Sequence, residues 1–187
     1  SGAMISTLGV MRACEEAGLQ ISAISACSGS ALFLAPIAAG LSAEEAIDFV
    51  FDWRSQDYID PRWRELLKIP LRLGRGFTGV LDMEVIERLY HERLGGVLLG
   101  DLPIPFYANI WDVDHNNVVA MGTRTTPNIR LARLVRAATS LPIFARPLEM
   151  DGTLYGDGGV INIFPAETLV EMHPELDYFI GINCFYP

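Results

Sequence analysis

Hydrophobic residues change their spacing along the chain, and the changes predict alternating helices and strands. The first segment has apolar residues at helical spacing, at Met4, Leu8, Met11 and Cys14. Gly18 follows them and is typical of a residue that ends a helix. A run of small and β-branched residues at 21–26 predicts a buried strand, and an Ala- and Leu-rich run at 30–39 predicts a buried helix.

The alternation continues to the end of the chain. Ser42 and Glu45 have the spacing of a capping box and predict the start of the next helix. Further patterns predict a helix after Asp82, strands at 104–111 and 117–121, a helix at 129–139, a hairpin at 148–155 and a final strand at 177–184. Such alternation predicts an α/β protein, a three-layer α/β/α sandwich with a largely parallel central sheet.

Composition suits a globular protein and disfavours several functions. Half of the 187 residues are hydrophobic and a fifth are charged, so we expect one domain, 1–187, with a sizeable core. The net charge of −9 disfavours nucleic acid, whose phosphates need clustered Lys and Arg. Three cysteines without CxxC spacing and three scattered histidines predict neither a disulfide framework nor a metal site. Together with the lack of a membrane-spanning apolar run, they predict a cytoplasmic protein.

Residues 53–77 form a basic, aromatic-rich stretch within this acidic chain. One interpretation is a substrate-access lid or a surface that makes transient peripheral contact with a membrane. The other is that the aromatic side chains fill the core while the arginines are solvated. The second interpretation is favoured, and both stay open.

Ser28 lies where the predicted strand at 21–26 turns into the predicted helix at 30–39. The segment Ala26-Cys27-Ser28-Gly29-Ser30 is made of small residues, which is typical of a nucleophile elbow. The helix N-terminus there adds partial positive charge that stabilises an oxyanion. The usual elbow signature is GxSxG, and Ala26 and Ser30 replace its glycines. An ordinary turn with a capping serine, or Cys27 as nucleophile, are the alternatives; Cys27 has no basic neighbour in sequence.

A second candidate segment places Asp157 between glycines, directly after a predicted strand. Gly156, Gly158 and Gly159 allow another backbone or a substrate to approach the carboxylate closely. The alternative is a glycine-rich turn with a solvated aspartate. Asn162, next to this turn, is predicted to make a structural hydrogen bond.

Together the two segments resemble the patatin-like phospholipase family, which carries its serine in GxSxG and its aspartate in D-G-[GA]. The resemblance extends, in order, over 8–18, 38–45, 136–142 and 156–162. Segment 38–45 lies at the family's distance after the nucleophile, which sets the register on Ser28. The resemblance implies Ser28 as nucleophile and Asp157 as general base without a histidine. It also implies an elbow and oxyanion segment at Ala26, Gly29 and Ser30, and a D-G-G motif completed by Gly158 and Gly159.

The resemblance implies a serine acyl-ester hydrolase that acts on phospholipid, lysophospholipid or a related ester through an acyl-enzyme. It implies no metal and no organic cofactor. Alternatives are a thioesterase or acyltransferase with the same dyad, and a catalytically impaired lipid-binding or scaffold domain. The replaced glycines motivate the last alternative, as does the family's GGGxRG oxyanion loop, of which Ser1-Gly2 is at most the tail. We therefore expect a domain that lacks this loop and further C-terminal elements.

Overall fold

The computed structural model describes residues 2–53, 61–66 and 78–184, and these contain both helices and strands. The helices are α1 (Ser6–Glu16), α2 (Gly29–Ala38), α3 (Ala43–Phe51), α4 (Trp63–Leu66), α5 (Glu84–Leu94), α6 (Leu131–Thr139) and α7 (Ala166–Met172). The strands are β1 (Ile24–Cys27), β2 (Phe106–Asp112), β3 (Asn117–Gly122), β4 (Leu148–Met150) and β5 (Thr153–Asp157). Short 3₁₀ helices cover Gly2–Ile5, Leu99–Asp101 and Gly158–Val160.

The predicted elements before residue 156 are confirmed, with ends displaced by a few residues. The predicted capping box is present: Ser42 Oγ accepts from the Glu45 N–H at 3.2 Å, and Glu45 Oε2 accepts from the Ser42 N–H at 2.8 Å. The predicted strand at 177–184 is wrong. In the described structure this segment pairs with no strand, and its side chains at Tyr178 and Ile180 are exposed.

Strand β2 is the centre of a five-stranded mixed sheet. One edge of β2 pairs with β3 in antiparallel orientation. The other edge is shared: β1 pairs in parallel with residues 106–109, and β5 pairs in antiparallel orientation with residues 110–112. Strand β4 then adds to β5.

The α/β class is confirmed, but the expectation of a largely parallel sheet is wrong. Of the four strand pairings in the described chain, only β1 with β2 is parallel. For two of the three antiparallel pairings, the physical reason is the length of the connections. Four residues join β2 to β3 and two join β4 to β5, and only antiparallel neighbours can be joined by such short turns. At the second turn Asp151 and Gly152 have φ of 51° and 81°, as a two-residue hairpin requires.

Side chains of β2 alternate between two covered faces, which gives the sandwich its three layers. Phe106 and Ile110 point into the main core, which also contains buried side chains of α1, α2, α3, α5 and α6. Tyr107 and Asn109 point to the opposite face. There Tyr107 contacts His173, directly after α7, and Asn109 accepts from Thr168 of α7.

Most of the basic, aromatic-rich stretch at 53–77 lies outside the described residues, so the predicted membrane contact stays a prediction. Trp53 packs edge-on against Phe49 and Tyr90, with ring centroids 5.3 Å and 5.6 Å away, and thus extends the core. Trp63, by contrast, is 69% exposed. In the described part of the chain, no helix is both long enough and apolar enough to cross a bilayer.

Candidate active site

The ends of β1 and β5 meet beside β2. Because β1 is parallel and β5 antiparallel to β2, the two strands run toward each other along one edge of it. Cys27, the last residue of β1, is opposite Asn109, and Asp157, the last residue of β5, is opposite Ile110. Ser28, directly after β1, and Asp157, at the end of β5, therefore lie next to each other beside β2.

The two predicted catalytic side chains are in direct contact. Ser28 Oγ donates to Oδ2 of Asp157 at 2.6 Å. Oδ1 of Asp157 accepts from the Gly159 N–H at 2.8 Å, and the Asp157 N–H donates to the Ser140 carbonyl at 3.0 Å. Ser28 is half-buried, whereas Asp157 is 1% exposed. The interpretation of Asp157 as a solvated turn residue is therefore wrong.

Burial changes the proton affinity of this carboxylate. Loss of solvent raises the pKa of Asp157, and the hydrogen bonds from Ser28 and Gly159 offset part of the increase because they stabilise the charged form. A carboxylate with a raised pKa is a stronger base than an ordinary aspartate. The arrangement can thus accept a proton from the Ser28 hydroxyl, which already points at Oδ2.

The backbone at Ser28 has the sharp conformation of an elbow. Its φ of 55° and ψ of −135° lie in a region that costs a non-glycine residue about 1–3 kcal/mol. Ser28 occupies the N-cap position of α2, but its side chain makes no capping hydrogen bond. The interpretation of Ser28 as an ordinary capping serine is therefore wrong, because its hydroxyl is directed to the carboxylate instead.

The residues around Ser28 accommodate the departures from GxSxG. Ala26 is buried in the core, and the Ser30 hydroxyl bonds the backbone of Cys27. Gly29 begins α2, where a Cβ would lie 2.6 Å from Sδ of Met4, so glycine permits this close packing. As the first residues of α2, Gly29 and Ser30 have amides without a carbonyl partner inside the helix.

The environment of Cys27 disfavours a thiolate. Burial and the neighbouring charge of Asp157 raise the pKa of Cys27 to about 12. The thiol contacts the Asn162 carbonyl at 3.5 Å. A nucleophilic cysteine needs a lowered pKa, so the physical chemistry of this position favours Ser28 as the nucleophile.

The glycines of the D-G-G segment allow it to pack tightly against its neighbours. A Cβ at Gly158 would lie 2.5 Å from the carbonyl carbon and oxygen of Asn109 in β2. A Cβ at Gly159 would lie 3.1 Å from Oδ1 of Asp157 and 3.2 Å from Sγ of Cys27. Glycine at both positions therefore lets the segment close over β2 and beside the dyad.

Comparison with known proteins assigns the chain to a family. The sequence model of the family described as patatin-like phospholipase (Patatin) matches residues 2–170. This chain belongs to the patatin-like phospholipase family.

Several relatives of this patatin-like chain are distant in sequence. An uncharacterized NTE family protein of Mycobacterium tuberculosis is 26% identical over 94% of the chain and 45% of its own length. Lysophospholipase NTE1 of Cryptococcus neoformans is 27% identical over 89% of the chain and 10% of its own length. Human patatin-like phospholipase domain-containing protein 6 is 27% identical over 87% of the chain and 11% of its own length. The chain thus spans less than half the length of these relatives.

A solved structure shares the fold. VipD from Legionella pneumophila superposes with a TM-score of 0.61 at 14% identity, over 86% of this chain and 44% of VipD. Together with the family match over residues 2–170, the observed architecture confirms the patatin-like fold predicted from the sequence.

Sequence reasoning missed two residues of the patatin-like site. Asn109 is 2% exposed, and its Nδ2 donates to the Asn162 carbonyl at 3.2 Å, the same oxygen that the Cys27 thiol contacts. Ser140 supplies the carbonyl that holds the Asp157 backbone. A polar residue inside the apolar strand at 104–111 was the available signal for Asn109. Ser140 acts through its backbone carbonyl, and the signal for it was its place in segment 136–142 of the family resemblance, to which no role was assigned.

Asn162 makes the structural hydrogen bonds predicted for it. Its Nδ2 donates to Glu167 Oε2 at 3.1 Å, and its Oδ1 accepts from the Phe164 N–H at 3.1 Å. These bonds tie the segment after the D-G-G motif to the first turn of α7.

Exposed apolar side chains occur in two segments that directly follow residues of the site, and we call these two segments the apolar rim. The first segment, 141–144, follows Ser140, and the second, 160–164, follows the D-G-G motif; neither contains a charged residue. Their exposed side chains are Leu141, Ile143, Phe144, Val160, Ile161, Ile163 and Phe164. Scattered single apolar residues are ordinary on a protein surface, but adjacent runs are typical of binding sites.

Candidate metal ligands do not gather near the dyad. Within residues 2–53, 61–66 and 78–184, no group of three or more His, Cys, Asp or Glu side chains could hold a metal ion. His115 bonds Asp112, and His173 bonds Tyr107 and Glu175, so two of the histidines have partners other than the dyad.

Proposed function

We propose that this chain is the catalytic core of a serine acyl-ester hydrolase that cleaves lipid esters through an acyl-enzyme. Ser28 is the nucleophile and Asp157 the general base. The observation that carries the proposal is the 2.6 Å hydrogen bond from Ser28 Oγ to a buried carboxylate whose pKa is raised. Membership of the patatin-like phospholipase family supports hydrolysis of lipid acyl esters.

The first half of the reaction forms the acyl-enzyme. Asp157 takes the proton of the Ser28 hydroxyl while Oγ attacks the ester carbonyl carbon. The carbonyl oxygen becomes an oxyanion that faces the N-terminus of α2, where the amides of Gly29 and Ser30 and the helix dipole offer stabilisation. Collapse of this intermediate breaks the ester C–O bond, and the leaving alcohol takes the proton from Asp157.

The second half releases the acyl group. Asp157, again unprotonated, takes a proton from a water molecule that attacks the Ser28 ester. The second tetrahedral intermediate collapses to a free fatty acid, and Ser28 recovers its proton from Asp157. Every proton thus moves between the dyad and the substrate or water.

The apolar rim supports a substrate with a long acyl chain. It is free of charged residues, although the chain carries 37 of them in 187 residues (14 basic and 23 acidic). The name of the fungal relative, a lysophospholipase, also favours phospholipid or lysophospholipid. We further propose peripheral contact with a membrane surface, including residues 53–77, in a cytoplasmic protein.

Hydrolysis of nitrophenyl esters tests the assignment. Ser28→Ala and Asp157→Asn are each expected to lower kcat by about 10³-fold or more, as for other nucleophile and base variants. Ser22→Ala, at an exposed coil position, and Asp151→Asn, at the hairpin turn, are the matched controls and should stay within about twofold, as surface changes usually do. Release of fatty acid from phosphatidylcholine and lysophosphatidylcholine vesicles then identifies the lipid.

Three outcomes would overturn the proposal. Activity that survives Ser28→Ala would exclude Ser28 as nucleophile. A folded parent protein that cleaves neither nitrophenyl esters nor lipids would favour the non-catalytic lipid-binding domain, and cleavage of thioesters alone would favour a thioesterase.

A further inference from the structure

The hydroxyl of Ser30 bonds both backbone polar groups of the residue that precedes the nucleophile. Ser30 Oγ accepts from the Cys27 N–H at 2.9 Å and donates to the Cys27 carbonyl at 2.5 Å. Cys27 ends β1, and Ser30 is the second residue of α2. One side chain therefore connects the end of the strand to the start of the helix, with Ser28 between them.

Ser28, which lies between Cys27 and Ser30, has a strained backbone conformation. Ser28 has a φ of 55°, which side-chain-bearing residues rarely adopt. A strained conformation persists when surrounding contacts determine it. On the backbone, the Ala31 N–H donates to the Ser28 carbonyl at 2.9 Å. The Ser30 hydroxyl adds two bonds, one to the N–H of Cys27 and one to its carbonyl, which belongs to the peptide unit that leads into Ser28.

Ser30 also stands where the GxSxG signature has glycine. Glycine has no side chain and offers the turn no hydrogen bond. The family signature and this chain therefore build the same elbow differently: the signature permits the turn through small residues, whereas this chain adds a side-chain hydroxyl that holds it.

We propose that Ser30 is a positioning residue that fixes the backbone conformation of Ser28 and so directs its Oγ to Asp157. This inference rests on the proposed function of Ser28 as nucleophile. It predicts that restoring the signature glycine lowers activity instead of raising it. Ser30 acts through the backbone of Cys27 and Ser28.

Three variants at one position test the proposal kinetically. Ser30→Gly and Ser30→Ala are expected to lower kcat about 10- to 100-fold, because a misplacement of about 1 Å costs about that much. KM should stay unchanged, because the apolar rim is untouched. The pH at half-maximal rate should rise, because a misplaced Oγ weakens the hydrogen bond from Ser28 that lowers the pKa of Asp157. Ser30→Thr keeps the hydroxyl and should restore most of kcat. Equal kcat for parent and Ser30→Gly, or equal losses for Ser30→Thr and Ser30→Ala, would overturn the proposal.

A measurement without substrate separates this proposal from the proposed function. Hydrogen exchange of the Cys27 amide, followed by NMR, reports the bond to Ser30 Oγ directly. We expect faster exchange in Ser30→Gly and Ser30→Ala, and parent-like exchange in Ser30→Thr, with exchange of the β2 amides unchanged. Parent-like exchange in Ser30→Ala would overturn the role of the hydroxyl even if the parent protein is active. If the parent protein is inactive but the Cys27 amide still exchanges faster in Ser30→Ala than in the parent, the elbow contact is retained and only its catalytic role is rejected.

Discussion

The hydroxyl of Ser28 lies 2.6 Å from Oδ2 of Asp157, although the two residues are 129 positions apart in the chain. They meet because β1 and β5 approach each other along one edge of β2 and end against its consecutive residues Asn109 and Ile110. The dyad is therefore a product of strand pairing, and it depends on the tight packing of the D-G-G segment as much as on the elbow.

In the proposed mechanism, the pKa of Asp157 sets the pH at which the rate falls on the acidic side. Since the carboxylate must be unprotonated to act as base, we expect kcat/KM to rise with pH through the pKa of Asp157. Burial raises this pKa above the value of about 3.9 for an ordinary aspartate. The Ser28→Ala variant removes a hydrogen bond that lowers the pKa, so NMR titration should find it higher there than in the parent. An apparent pKa of kcat/KM at or below the ordinary aspartate value would contradict the prediction of a raised Asp157 pKa.

Replacement of Asp157 should stabilise the protein at neutral pH. Because folding raises the pKa of Asp157, the folded state binds the carboxyl proton more tightly than the unfolded state. The ionised carboxylate thus favours unfolding above the folded pKa, and this effect disappears below the unfolded pKa. We expect Asp157→Asn to have a higher free energy of unfolding than the parent near pH 7 and a shrinking advantage as pH falls toward 4. Urea unfolding at several pH values measures the difference in free energy of unfolding between Asp157→Asn and the parent. A difference that grows as the pH falls would contradict the burial argument.

Cys27 should be dispensable for the chemistry. Its thiol has a pKa of about 12, so it stays protonated at neutral pH. We expect Cys27→Ala to retain ester hydrolysis within about tenfold, since its cost is a lost packing contact and not a lost reacting group. In the parent protein, iodoacetamide at pH 8 should modify the half-buried Cys184 before the buried Cys27 and Cys14. Activity lost together with alkylation of Cys27 would contradict this assignment.

The packing at Gly158 should make even one methyl group costly. Gly158→Ala places a Cβ 2.5 Å from the Asn109 carbonyl and 2.9 Å from the Ile110 nitrogen, and both groups belong to the central strand. We expect a loss of about 1–3 kcal/mol in the free energy of unfolding, as for overpacked cores.

Gly9→Ala is the matched control for Gly158→Ala. Gly9 is exposed in α1 and a Cβ there meets nothing within 4 Å, so alanine should stabilise by about 0.5–1 kcal/mol through helix propensity. If urea unfolding shows equal changes in the free energy of unfolding for the two substitutions, the close approach at Gly158 does not affect stability.

Ile143 should affect stability and substrate binding in opposite directions. This β-branched residue has a φ of 74° and a side chain that is 73% exposed, so the strain is not offset by burial. We expect Ile143→Gly to raise the free energy of unfolding by about 1 kcal/mol, because glycine adopts this conformation without strain. As Ile143 belongs to the apolar rim, KM should increase for long-chain esters and stay unchanged for acetate esters.

Ile180→Gly provides the comparison for Ile143. Ile180 is also an exposed isoleucine outside helices and strands, but it is absent from the described positive-φ residues. Glycine there should lower stability slightly. A similar gain in the free energy of unfolding in both variants would indicate that backbone strain at Ile143 is not the cause of the gain. An unchanged KM of Ile143→Gly for long-chain esters would show that Ile143 does not contribute to the binding surface.

Local signals predicted much of this fold and singled out both Ser28 and Asp157, whose side chains the structure brings into contact. The capping box at Ser42, the Asp151-Gly152 hairpin and the small residues around Ser28 each depend on a few neighbouring residues, so the sequence displays them directly. The prediction at 177–184 was wrong because apolar, β-branched composition favours a strand only where another strand is available to pair with it.

The sequence by itself determined where the chain bends at Ser28, where a carboxylate follows a strand at Asp157, and which family such a pair resembles. Only the tertiary structure decided that the two side chains touch, that the sheet is mixed, and that Ser140 and Asn109 support the site. It also decided the raised pKa values of Asp157 and Cys27. The reason is physical: turns and caps depend on nearby residues, whereas strand pairing, burial and desolvation arise from groups that only folding brings together.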